Sequence, residues 1–306
     1  MLFLLVPEII YEVKRDEHMR KRISDKNIFP NFSLEAEYKK LHELFFDNTA
    51  FGRTMYEYLR TSPCLSYNDC LEAMFLDWKL RGTFTSIEEM VFALEISEDD
   101  FDKSVTEDRL LDYIQYLLNA VAFVLREVKR GNYPIYKVDD TISNAILDNS
   151  LQIIERLGAE LKNDDKKGEL YIIYRDDIAT AVAKQDEELA PSIVEYLKID
   201  NRHDLKRKGE ILCTLAKKLE PYEKKLCGTE FRALCTDTTF LLNNAGARHS
   251  YNSNDKVNAK FSRMSEADIE KWYDRTFQMF LSCMSVVPYM NYKSEIMEIK
   301  RGESNS

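Results

Sequence analysis

A chain of 306 residues with 44% hydrophobic and 31% charged residues carries enough apolar surface for one large core or two ordinary ones, which excludes wholesale disorder. Nine glycines and seven prolines are too few for the many tight turns of a strand-rich fold, so the composition points to helices. A net charge of −10 excludes a surface that grips nucleic acid broadly, and any such contact must be local.

The opening run Met-Leu-Phe-Leu-Leu-Val is cut short by Pro7 and Glu8 and has no basic flank, so it reads as a buried arm rather than a leader. No segment reaches the length of a membrane span, and a cytoplasmic protein without a membrane partner is expected. Beyond Pro30, Ser33 caps a helix with apolar face Leu34, Tyr38, Leu41, Leu44 and Phe45. A segment over 54–59 leads to the Ser62-Pro63 break, and residues 68–80 form a further helix closed by Gly82. Ser86-Ile-Glu-Glu89 has the capping-box form, so a helix begins at Ile87. From Thr106 to Gly131, Leu110, Leu111, Ile114, Leu117, Leu118, Val121, Val124 and Leu125 make a stripe wide enough to be buried on more than one side.

After Pro134 the spacing predicts a helix over 140–162, followed by the polar, Gly-terminated stretch 163–168 as the best boundary. Residues 170–174 could form one short isolated strand, but a lone strand has no partner, so this run reads as the buried lead-in to the helix carrying Ile178, Ala181 and Val182. Helices are then predicted over 191–198, 201–219 and 231–243, with Pro221 lying between the last two. Ser265 starts a last long helix that Pro288 ends. The expected fold is all-α, a multi-helix bundle: an N-terminal helical region over 1–162, a C-terminal helical domain over 169–300 and a disordered tail over 301–306. Six scattered cysteines with no CxxC read as reduced core residues. Four histidines without ligand spacing leave no metal site and no cofactor to expect.

Chemistry concentrates between Phe240 and Arg263. An apolar helical run stops at Asn243, Asn244 and Gly246, and the pair Arg248–His249 follows in a polar stretch before the next helix. Arg248 offers a planar, permanently charged fork that suits phosphate, and His249 can give or take a proton near neutrality. Lys256, Lys260 and Arg263 add a cationic rim, while Asn244, Asn252 and Asn254 supply neutral hydrogen bonds. That set suits metal-independent RNA cleavage, with Arg248 and His249 as the catalytic pair. The same pattern is also that of a solvated helix–helix corner or a satisfied C-cap, and residue types alone leave the two open.

The layout helix–Asn-Asn-Ala-Gly-Ala-Arg-His–helix, with the Trp/Tyr-rich helix after it, resembles the C-terminal region of abortive-infection and related bacterial proteins with HEPN-like helical domains. Glu-Leu-Tyr-Ile-Ile-Tyr-Arg-Asp-Asp from 169, Glu-Ile-Leu-Cys-Thr-Leu-Ala-Lys-Lys-Leu-Glu-Pro from 210 and Trp-Tyr-Asp-Arg-Thr-Phe-Gln-Met from 272 extend the likeness over about the last 140 residues. The resemblance implies a small helical bundle that forms a homodimer through its C-terminal helices. It also implies a ribonuclease of a phage-defence or toxin system, with RNA as substrate and a cognate antitoxin or regulatory protein as partner. Arg248 matches the Arg of the signature and His249 the polar residue beside it. The closing His should fall near 253–255, where this chain has Asn252 and Asn254 around Ser253. Either His249 takes the acid–base role, or the chain is an inactive member that binds a nucleotide, RNA or a protein. A plain interaction protein is a third reading, with the acidic stretch 88–112 as its contact surface and a solvated face as the ordinary explanation.

Overall fold

The computed structural model describes residues 32–47, 51–53, 66–97, 101, 104–131, 136–138, 140–164, 166–244, 261 and 263–303. The opening arm and the predicted segment over 54–59 lie outside them. The chain divides into two compact units, Met1–Ile173 and Tyr174–Ser306. Among the described residues the protein is an all-α multi-helix bundle of eleven α-helices with two small two-stranded sheets.

In the first unit the described helices are α1 (Leu34–Phe46), α2 (Tyr67–Met74), α3 (Ile87–Ala93), α4 (Glu107–Lys129) and α5 (Asp140–Arg156). Ser33 caps α1 by accepting from the amide of Ala36, and Thr106 caps α4 by accepting from that of Arg109. At α3 the expected capping box is half made. Ser86 accepts from the Glu89 amide, but the Glu89 carboxylate reaches past it to the amide and hydroxyl of Thr85. The centre of the unit is α4, on which α1, α2 and α5 pack, and its stripe from Leu110 to Val124 is buried, as the spacing predicted. Aromatic rings from three segments close around it: Tyr38 stacks on Phe101 at 3.8 Å and tilts onto Tyr113 at 5.0 Å.

Both sheets are departures from the sequence reading. Strand β1 (Phe51–Arg53) pairs antiparallel with β2 (Tyr136–Val138), in the register Phe51 to Val138. The predicted helix over 140–162 stops at Arg156, because Gly158 takes a left-handed backbone (φ 69°) and closes the last turn as a C-terminal cap. The chain then enters β3 (Ala159–Asp164), turns at Gly168 (φ 67°) and returns as β4 (Glu169–Tyr174). Residues 170–174 therefore do belong to a strand, and the strand is paired, through a connection short enough that the pair is an antiparallel hairpin. Because β4 closes this hairpin, the division between units falls at Ile173, so residues 169–173 stay with the first.

A two-stranded hairpin leaves one edge of each strand unpaired, and Leu170 and Ile172 are buried. Two amide side chains of α4 fill that edge. Asn119 donates from Nδ2 to the Leu170 carbonyl at 2.6 Å and accepts at Oδ1 from the Leu170 amide at 2.8 Å. One helical turn earlier, Gln115 accepts at Oε1 from the Ile172 amide at 2.7 Å. Residues 170 and 172 point their backbone groups to one edge of the strand, and positions 115 and 119 share one face of the helix, so the two periods match. Asn119 and Gln115 do the work of a third strand.

The second unit contains α6 (Asp177–Gln185), α7 (Ala190–Leu197), α8 (Leu205–Cys227), α9 (Arg232–Asn244), α10 (Glu266–Ser285) and α11 (Val287–Glu303). Helices α8, α9 and α10 pack on one another, α6 packs on α7 and α10, and α7 on α8. Asp204 caps α8, so this helix starts at Leu205 rather than 201, and residues 199–201 form a 3-10 turn instead. It also runs through Pro221 to Cys227, where the sequence suggested a break. A proline inside a helix removes one backbone hydrogen bond and costs about 3 kcal/mol. Leu219 and Leu226 on either side of it are both buried in the core, which holds the helix together across the gap. Proline 288 likewise opens α11 after α10 has ended at Ser285, and α11 includes residues 301–303 of the expected tail. Cysteines 70, 213, 227, 235 and 283 are free thiols; burial pushes Cys70 and Cys235 up to about 12, which leaves them as inert packing groups.

Replacing Asn119 with Ala strands a buried amide and a buried carbonyl at Leu170 and is expected to cost about 3 kcal/mol, whereas Gln115→Ala strands one amide and costs about 1 kcal/mol. The two tryptophans of the chain are Trp78 and Trp272, one per unit. Urea unfolding followed by Trp78 fluorescence in a Trp272→Phe background measures the difference, and equal costs for the two substitutions would refute the edge-filling account.

Candidate functional site

Of the site residues expected from the sequence, Arg248, His249, Asn252, Asn254, Lys256 and Lys260 lie outside the described residues. Asn244 is the last residue of α9, half-buried, and its Nδ2 donates to the Phe240 carbonyl at 2.8 Å, which closes the final turn of the helix. Arg263 is exposed in the turn before α10. Ser265 caps α10 as expected, accepting from the Asp268 amide at 3.2 Å.

The two helices that flank this stretch pack against each other. Thr238 of α9 meets Cys283 of α10 at 3.4 Å, Phe231 meets Tyr289 of α11 at 6.2 Å, and Glu230 pairs with Lys293 at 2.7 Å. Partners climb as α9 is read backwards, so α9 runs antiparallel to the α10–α11 line. The C-terminal end of α9 and the start of α10 then share one end of the pair. Phe261 is buried there in the same core as Leu241 and Leu242, with its ring edge-on to Trp272 at 6.3 Å. Asn244 and Arg263 thus stand at the two ends of the intervening run, on the same end of the packed helix pair.

A second charge constellation lies where α7, α8 and α10 meet, and the sequence reading passed over it. Lys208 has a side chain only 5% exposed. Its ammonium donates to Glu270 Oε1 at 2.8 Å and to Asp274 Oδ1 at 2.9 Å, and lies 5.4 Å above the Tyr196 ring. Tyr196 donates its hydroxyl to the same Asp274 oxygen at 2.9 Å and stacks on Phe277 at 4.0 Å. His203, in the turn before α8, sets Nδ1 3.0 Å from Glu270 Oε2 and is otherwise exposed.

Burial alone would raise the Glu270 carboxyl, but hydrogen bonds from Lys208 and His203 outweigh it and hold the group below the usual carboxylate range. Burial, and after it the charge of Asp274, pushes the Tyr196 phenol well above its ordinary value, so it is a donor and never a base here. A lysine whose protons are taken by two carboxylates and a ring face is not a nucleophile. The group is an electrostatic clamp across three helices. The spacing Glu270–Asp274, one helical turn, was the available signal for this cluster. A lysine on a neighbouring helix could be matched to it only in three dimensions.

Among the described residues no group of three or more His, Cys, Asp or Glu could hold a metal ion, and no helix is long and apolar enough to cross a membrane. Comparison with protein-family models, curated proteins and solved structures finds no match to this chain.

Lys208→Ala leaves Glu270 and Asp274 facing Tyr196 without their cation and is expected to destabilise the second unit by about 2–3 kcal/mol. Because the Glu270 carboxyl sits lower folded than unfolded, its contribution is complete above the unfolded value of about 4.3 and is lost as pH falls through the folded one. Melting curves from pH 7 to pH 3 should show the wild type losing more stability over the acid limb than Glu270→Gln; parallel curves would refute the clamp.

Proposed function

We propose that this protein is a HEPN-like RNA-binding component of a bacterial phage-defence or toxin system, acting in the cytoplasm, with residues 244–263 as its RNA-contacting segment. The observation that carries the reading is charge set in a particular place. In a chain of net charge −10, residues 244–263 hold Arg248, Lys256, Lys260 and Arg263 against the single acid Asp255. That run joins the adjacent ends of the packed antiparallel helices α9 and α10. A local cationic run on an acidic protein selects a polyanion without binding it indiscriminately.

In this reading Arg248 grips a phosphate through its planar fork, and Asn244, Asn252, Asn254, Lys256, Lys260 and Arg263 fix the strand. The finer step is cleavage without a metal. The 2′-hydroxyl attacks the adjacent phosphorus, the bond to the 5′-oxygen breaks, and His249 moves the protons while Arg248 stabilises the charge gathering on the phosphoryl oxygens. A second reading is a binder without catalysis, and the specific observation behind it is the pair Asn252 and Asn254 where the family signature closes with His. An amide can hold phosphate but carries no proton across at neutral pH.

Purified protein incubated with bulk and structured RNAs in EDTA, beside the Arg248→Ala/His249→Ala double variant, separates the two. Cleavage by the wild type alone supports the nuclease. Binding without cleavage, weakened by Lys260→Ala/Arg263→Ala and with a salt dependence shallower by about two ion equivalents, supports the binder. Absence of both, at low salt and with single-stranded and hairpin RNA, refutes the reading. In cells, growth arrest on overexpression that Arg248→Ala abolishes would fit a toxin held in check by a cognate partner.

A further inference from the structure

The face of α4 that fills the hairpin edge does not end at Asn119. At about 100° per residue, Gln115, Asn119 and Arg126 fall within about 40° of arc, so Arg126 continues the same face two turns further on. The register is regular. Gln115 reaches Ile172, Asn119 reaches Leu170, and the Arg126 guanidinium lies beside Gly168, with Nη1 3.7 Å from the place a Cβ would take. The two amides find backbone partners there. Arg126 finds none: its guanidinium has no hydrogen bond and no ion pair with any described residue.

A solvated surface arginine would need no partner, but this one is half-buried. Burial, and after it the charge of Arg130 one turn on, pulls its guanidinium below the ordinary value. Glu127 favours the charge, yet that carboxylate is bonded to Arg130 at 2.9 Å. Arg126 and Arg130 form an i,i+4 pair of like charge, which destabilises a helix. Gly168 presents bare backbone to the fork and leaves open the space a side chain would fill. The turn adds Lys166, exposed and without an ion pair among the described residues. A permanently charged planar fork, partly desolvated and beside a second arginine, is short of an anion.

The surrounding charges say which anion fits. Two arginines suit a doubly charged tetrahedral group better than the single charge of a carboxylate. Asp164 and Glu169 flank the turn and Glu127 adjoins Arg126, so a long polyanion laid across it would set its further phosphates against carboxylates. We infer that Arg126, at the turn between β3 and β4, anchors a binding site for the phosphate group of a small molecule, with Arg130 and Lys166 adding to its field. The site lies wholly in the first unit and is independent of what residues 244–263 bind.

Trp78 fluorescence in the Trp272→Phe background follows melting of the first unit in the full chain, with phosphate exchanged against chloride at constant ionic strength. Phosphate should raise the wild-type midpoint by about 2–4 °C once it passes about ten times the dissociation constant. Arg126→Met keeps the apolar stem. It should melt no lower than the wild type without phosphate, and should gain only the small rise that a kosmotropic anion gives any protein. Equilibrium dialysis in the Arg248→Ala/His249→Ala background removes the fork of the other cationic run. There, labelled phosphate and a nucleoside monophosphate should bind about tenfold or more weakly after Arg126→Met, and less so after Lys166→Ala. Equal midpoint rises in wild type and Arg126→Met, or no binding of either small phosphate, overturn the proposal. An Arg126→Met protein that melts well below the wild type without phosphate marks a structural arginine and overturns it as well. So does a single-stranded RNA that alone loses affinity on this substitution, since the arginine would then serve a polyanion.

Discussion

A polar group taken out of water must find a partner or cost about 1–3 kcal/mol, and in both units this requirement falls on a long central helix. Helices α4 and α8 are each 23 residues long. Their apolar faces are broad enough that leucine against leucine would accept several rotations and shifts of about one turn. Asn119 accepts only one placement, because both ends of its amide are claimed by Leu170, and the turn before it is fixed by Gln115 on Ile172. Lys208 does the same in the second unit by requiring Glu270 and Asp274, one turn apart on α10, at once. Hydrophobic burial supplies the drive to pack in each case, and the buried polar contact chooses among the packings that would satisfy it.

The two anchors differ in kind, and the difference has consequences. Asn119 is neutral and nearly fully buried, and its partners are backbone groups that no titration can remove, so its contribution does not vary with pH. The Lys208 clamp is ionic and opens on one side toward water through Asp274 and His203, whose side chains are 53% and 74% exposed. It belongs with partly buried ion pairs that hold a geometry more than they add net stability. The hairpin of β3 and β4 combines the first kind of anchor with apolar burial of Ala159, Leu170, Ile172 and Ile173. Two strands alone are marginal in water, and this pair persists because a helix completes its edge.

The molecule's surface chemistry is divided by region. A cationic run joins α9 to α10 in an otherwise acidic chain, and an apolar stripe occupies the outer face of α11. Antiparallel packing of α9 against the α10–α11 line gathers the ends of that run at one end of the pair. The stripe continues along the opposite end and beyond it.

What the sequence determined by itself was what repeats locally. Helical class, the apolar faces of α1, α4, α9 and α10, and the caps at Ser33, Ser86, Thr106 and Ser265 all follow from periodicity and from side chains that reach their own backbone a few residues away. Gly158, which ends α5, was passed over, because the apolar Leu157 and Leu161 prolong the helical period across it. The cationic character of 244–263 is a property of composition, visible without coordinates. Tertiary structure decided everything that joins distant positions. Leu170 finds Asn119 across 51 residues, and Glu270 finds Lys208 across 62; no local pattern announces either pairing. Pro221 stays inside a helix because the core on both sides holds it there, against its own preference. A local rule is enforced by chain geometry and can be read from neighbours. A partner across the fold is chosen by which arrangement leaves the fewest buried groups unsatisfied, and that sum exists only once the whole unit is assembled.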